Sequence, residues 1–68
     1  MKKVKIIMNS GKEYIHESIK KDIFIRDCLG LFFDEKGNPR DSIVSLKQDN
    51  NEIKLAINPR AISSLEQL

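Results

Sequence analysis

Apolar and polar positions alternate near both ends of this chain, and each alternation closes in turn-forming residues. Val4, Ile6 and Met8 alternate with Lys3, Lys5 and Ile7. A period of two, rich in β-branched residues, predicts a strand. Asn9-Ser10-Gly11-Lys12 follows, and glycine takes the positive φ of a tight turn at no steric cost. Glu13 to Ser18 then alternates again as the returning strand, with Tyr14 and His16 on one face and Glu13, Ile15 and Glu17 on the other. Near the other end, Ile43 to Gln48 predicts a strand with Val44 and Leu46 on one face and Ile43 and Ser45 on the opposite one. Asp49-Asn50-Asn51 is a turn, because Asp and Asn tolerate left-handed backbone. Ile53, Leu55 and Ile57 alternate with Lys54 and Ala56, the clearest half-buried strand of the chain. Asn58-Pro59 ends that ladder, since proline has no N–H to donate. Arg60-Ala61-Ile62 is long enough for one 3-10 turn. Ser63 to Gln67 is a last short strand, with Ile62 or Leu65 holding the corner to the core.

The middle of the chain has a different period. Ile19/Ile23, Phe24/Cys28, Ile25/Leu29, Cys28/Phe32 and Leu29/Phe33 are all four apart, which predicts a helix within 19–33 that buries a broad face. Asp22 is the candidate N-cap and Gly37 the candidate residue beyond the helix end. Ile23-Phe24-Ile25 pulls toward strand, and Gly30 costs about 1 kcal/mol inside a helix. Were Ile23 to Arg26 a strand, the domain would be nearly all β. Residues 34–41 are a polar connection. The expected fold is therefore a single α+β domain, residues 1–68, in the order β-β-α-β-β-β. Five short strands with short connections predict a small antiparallel sheet or an open barrel beside one helix.

Size sharpens this picture. At 68 residues and 7.8 kDa, such a chain buries roughly 60% of its unfolded surface, and a core of that size supplies about 3–5 kcal/mol without a staple. The single cysteine, Cys28, rules out an internal disulfide, and one His with one Cys cannot make an ordinary four-ligand zinc site. Association is the staple that remains, so a homo-oligomer is expected. Apolar residues at 40% and charged residues at 32% describe a globular chain rather than a disordered one. No apolar run approaches the ~20 residues of a membrane span. The run Ile6-Ile7-Met8 is too short for a secretory leader, and the absence of a cysteine pair points to the cytoplasm.

Reactive groups are few. Cys28 and His16 form the one nucleophile–base pairing on offer, and activation would need them within hydrogen-bond reach. Cys28 falls on the buried helical face, where a thiol is structural, and His16 falls on a strand. Asp34, Glu35, Asn38 and Asp41 lack the ligand order of a calcium loop, and Pro39 interrupts them. Ser10-Gly11-Lys12 precedes a strand rather than a helix, unlike a phosphate loop. No catalytic residue, cofactor or metal is expected, and the chain reads as non-enzymatic.

Binding is left. The formal charge is only +2, which bears on solubility before it bears on partners. Lys3 and Lys5 share one face of the first strand, and Lys47 and Lys54 are candidates to join them across the sheet. With Tyr14 they would form a basic surface for nucleic acid, although single-strand binding normally uses several stacking aromatics. The apolar excess around Phe32 and Phe33, with Tyr14, is the candidate protein-binding surface, and free strand edges offer a second route.

Two segments carry a resemblance. Ala56-Ile57-Asn58-Pro59-Arg60-Ala61-Ile62-Ser63-Ser64-Leu65-Glu66 and the opening Lys5-Ile6-Ile7-Met8-Asn9-Ser10-Gly11-Lys12-Glu13-Tyr14 resemble the ends of small uncharacterised phage- and prophage-type proteins of low-GC Gram-positive bacteria. The strand, one-turn corner and strand also resemble SH3-like and Sm-like small barrels. The resemblance implies a mobile-element origin, defines no catalytic residue, and makes a host or defence protein, bound and inhibited, the expected partner. A small nucleic-acid-binding barrel using the lysines is the alternative.

Overall fold

Gly11, at φ 91°, closes the first hairpin by the expected route. Its N–H donates to the Met8 carbonyl at 2.9 Å, and the Met8 N–H donates to the Lys12 carbonyl at 2.8 Å. A computed structural model describes residues 1–47 and 50–68. The elements are β1 (Val4–Met8), β2 (Glu13–His16), α1 (Ile25–Phe32), β3 (Val44–Lys47), β4 (Ile53–Ile57), a 3-10 turn (Pro59–Ala61) and β5 (Ile62–Gln67). This is the expected α+β order. Among the described residues the strands pair antiparallel in two sheets, β2-β1-β5 and β3-β4. Among the described residues no helix is long and apolar enough to cross a membrane.

The C-terminal corner follows from its residues. Pro59 supplies a fixed φ for the first position of the turn. The Asn58 side chain accepts the Arg60 N–H at 3.0 Å, and the Ala61 carbonyl accepts the Asn9 N–H at 2.7 Å. The chain is thereby redirected so that β5 pairs with β1, with Ile6 opposite Leu65. Ile62 and Leu65 both pack against the core, as the sequence pattern implied. In the β3–β4 hairpin, Asn51 takes φ 65°, the left-handed backbone expected of it. The expected strand end at Gln48 and the first turn residue, Asp49, lie outside the described residues.

The helix is shorter than its four-residue spacing suggested, and two expectations about its ends need correction. Asp22 is not the N-cap. Its carboxylate accepts the Lys2 N–H at 2.8 Å, tying the chain's start to the segment before the helix. The first turn is held instead by Asp27, whose carboxylate accepts the Phe24 N–H at 2.9 Å, near the positive end of the helix dipole. The helix ends at Phe32 because Phe33 turns extended (φ −124°, ψ 151°) and bridges to Pro39. Gly37, at φ 84°, serves the next turn, donating its N–H to the Asp34 carbonyl at 3.0 Å. Ile19 is 81% exposed, so its spacing to Ile23 carried no helical meaning.

One stripe of α1 faces inward. Cys28 and Phe32 are fully buried and Ile25 is packed against them, joining Val4 and Ile6 of β1, Ile23, Leu46 of β3 and Ile57 of β4 in one cluster. Gly30 sits on the opposite side with open space where a Cβ would be. Gly30→Ala should therefore stabilise the domain by about 0.5–1 kcal/mol. A urea melt checks this, and an unchanged or lower midpoint would mean that the helix does not run through residue 30 in solution.

Candidate binding groove

Among the described residues β2 pairs with β1 and with no other strand. A groove of about 450 Å³ opens at the last residue of β2, His16, and continues past it. His16, Glu17 and Ser18 bound it at the end of β2, and Ser45, Leu46 and Lys47 of β3 bound it from the second sheet. Ile23 and Leu46, both nearly fully buried, make an apolar base, and Leu31 of α1 adds a partly exposed apolar side. Lys21 and Asp27 complete the lining. A smaller cleft of about 50 Å³ continues past Ile15 and is lined across from it by Lys54 and Leu55 of β4. No β1 residue lines either hollow.

His16 is the titratable group set deepest in this lining. Burial lowers its pKa from 6.5, the nearby Lys21 lowers it further, and Asp27 opposes them. The native chain thus favours neutral imidazole. As pH falls below 6.5, the unfolded chain takes up the proton first, so stability drops through that window and levels off below the folded-state value; above it, His16 adds no pH dependence. Replacing His16 with Asn should flatten the wild-type slope between neutral and mildly acidic pH. Parallel slopes in denaturant melts of the two proteins would refute this.

Cys28 does not reach the groove. It is fully buried in the helix stripe, and burial, with Asp27 adding to it, pushes its thiol up to about 11. A thiol held protonated at neutral pH is a poor nucleophile. The groove lining includes His16 but not Cys28, so the two do not form a catalytic pair there. In the 34–41 connection, the Asp34 carboxylate is occupied by the N–H groups of Lys36 and Asn38, each at 2.9 Å. Among the described residues no group of three or more His, Cys, Asp or Glu is placed to hold a metal ion.

The candidate binding residues sit differently from expectation. Phe32 is fully buried, so it belongs to no surface patch. Phe33 and Tyr14 are half-buried and pack against the same core, with Tyr14 opposite Ile6. The apolar surface lies elsewhere: Ile43 is 60% and Ile53 57% exposed, with Ile15, Leu29 and Leu31 also open. Ile15 was legible as an outward residue of β2. Leu29 and Leu31 were not, because they flank the buried helical stripe on either side.

The four candidate lysines are split between the two sheets, and two of them are ion-paired. Lys3 pairs with Glu17 at 3.3 Å and Lys5 with Glu13 at 3.4 Å, and Glu66 of β5 lies opposite Lys5. On that face the three glutamates outnumber the two lysines. Lys47 and Lys54 belong to the other sheet and lie across the smaller cleft from Ile15 and Glu17. No protein-family model matches the chain, and no curated protein or solved structure matches it either.

Proposed function

We propose that the chain is a non-enzymatic protein-binding module. The observation that carries this reading is the apolar-based groove at the end of β2. Exposed Ile15, Leu31, Ile43 and Ile53 add apolar surface that a core this small leaves uncovered. The raised pKa of Cys28 and its absence from the groove that His16 lines favour binding over covalent catalysis. The resemblance of both ends to phage-type proteins makes a host protein the partner class to try first, with inhibition as the outcome to assay. Lys47 and Lys54 share the smaller cleft, and this favours nucleic acid as the second reading. Against it, Lys3 and Lys5 are neutralised across the sheet and Tyr14 packs inward. The test is capture on the immobilised chain in rising salt. A protein partner held by apolar contact should stay bound, whereas a phosphate-based complex should weaken steeply between about 50 and 200 mM. Capture of nucleic acid alone, lost over that range, would overturn the protein-binding reading.

A further inference from the structure

We infer that the groove beside β2 receives one extended, acidic peptide segment of a partner protein, added to β2 as a further strand. This rests on the protein-binding reading and specifies its site and ligand. The turn hydrogen bonds fix which backbone groups are available. Met8 bonds to Lys12, and hydrogen-bonded pairs in an antiparallel ladder recur at every second residue. Ile6–Tyr14 and Val4–His16 are then the bonded pairs of the observed register. Glu13 and Ile15 consequently turn their N–H and C=O groups away from β1, on the side where Ile15 lines the smaller cleft, which shares His16, Glu17, Leu46 and Lys47 with the groove. An incoming strand would find backbone partners there and would set alternate side chains on the apolar base formed by Ile23, Leu31 and Leu46.

Charge selects the occupant. Lys21, Lys47 and Lys54 line the two hollows, and the ion pairs among the described residues involve Lys3, Lys5 and Arg60 instead. Of the acids nearby, Glu17 is paired with Lys3, and Asp27 keeps its charge, so three lysines face one unpaired carboxylate. The balance facing an incoming segment is positive. A second copy of this chain fits poorly, because Glu13 and Glu17 are tied to its own lysines and β5 offers a single acid, Glu66. A nucleic-acid strand would match the lysines and leave the apolar base without a counterpart.

The probe is a fluorescein-labelled heptapeptide of alternating valine and aspartate, read by anisotropy against its valine–lysine counterpart. The acidic peptide should bind at least about tenfold tighter. Ile15→Pro removes the outward N–H without touching a bonded pair of the β1–β2 ladder, and should weaken binding by about tenfold or more. The double change K21E/K47E, at exposed side chains, should do the same. If Ile15→Pro fails to fold, amide exchange in the unaltered chain decides: the Ile15 amide should slow when the peptide binds. Equal affinity for the two peptides, or an Ile15 amide that exchanges as fast with peptide as without, overturns the inference. Displacement of the peptide by a thymidine oligomer at equal charge, or dimerisation that protects the Ile15 amide, also overturns it. A protein partner captured equally by the chain and by folded Ile15→Pro would remove the β2 site while leaving the protein-binding reading intact.

Discussion

Phe32→Ala should abolish the cooperative folded state. Phe32 is fully buried, the largest such side chain, at the meeting of the helix with both sheets. Truncating a buried phenylalanine costs about 3–5 kcal/mol through lost transfer energy and the cavity left behind. A domain of this size has about that much to lose. The expected outcome is the absence of a sigmoidal urea transition and loss of the near-ultraviolet signal of the aromatic core. Leu29→Ala is the control. Leu29 lies three residues earlier on the same helix and is 46% exposed, so its loss should move the midpoint by a fraction of that amount. Were the two variants to behave alike, residue 32 could not be buried as described, and the inward stripe through Ile25, Cys28 and Phe32 would be misplaced. Phe32→Leu, which retains most of the volume, should fold with reduced stability.

Much of this fold was legible because short-range chemistry agreed with it. β1 and β4 begin and end where alternation predicted, between residues that favour turns. The Asn58-Pro59 corner was legible because proline removes a donor and asparagine supplies a local acceptor, and both act within three residues. The helix ends were not legible. Asp22 suits an N-cap by composition, but the tertiary bond from the Lys2 N–H takes its carboxylate, and the N-cap falls on Phe24, whose N–H is held by Asp27 three residues on. Phe32 and Phe33 are neighbours with one chemistry, yet the helix end buries one and sends the other into a bridge with Pro39. The groove was the least legible feature. It exists because β5 returns to β1 and leaves β2 at an edge, a pairing across nearly the whole chain that local periodicity cannot report. The same register cancelled the Lys3–Lys5 surface by placing Glu13 and Glu17 beside it.

Gln67→Glu should destabilise the chain by about 1–3 kcal/mol at neutral pH, despite its position at an exposed site one residue from the C-terminal Leu68. The Gln67 side-chain oxygen accepts the Ile25 N–H at 3.0 Å, and its nitrogen donates to the carbonyls of Lys3 at 3.0 Å and Ile23 at 2.8 Å. One amide therefore joins β5 to the residue before β1 and to the start of α1. Glutamate has nearly the same shape and no donor, so two backbone carbonyls would face a carboxylate. Gln67→Ala, which removes the bonds without adding repulsion, should lose less. Acidification toward the ordinary glutamate value, about 4.3, should restore part of the Gln67→Glu loss, because a protonated carboxyl can donate once. The wild-type chain should lack that recovery. Equal stability of wild type and Gln67→Glu at neutral pH would mean that the amide latch contributes nothing. The effect should also reach the groove. Ile23, Asp27 and Leu31 line it from the segment that Gln67 holds in place. The Ile23 amide, bonded to the Lys2 carbonyl at 2.9 Å, should therefore exchange faster in Gln67→Glu, and the acidic heptapeptide should bind more weakly to a groove whose base has loosened.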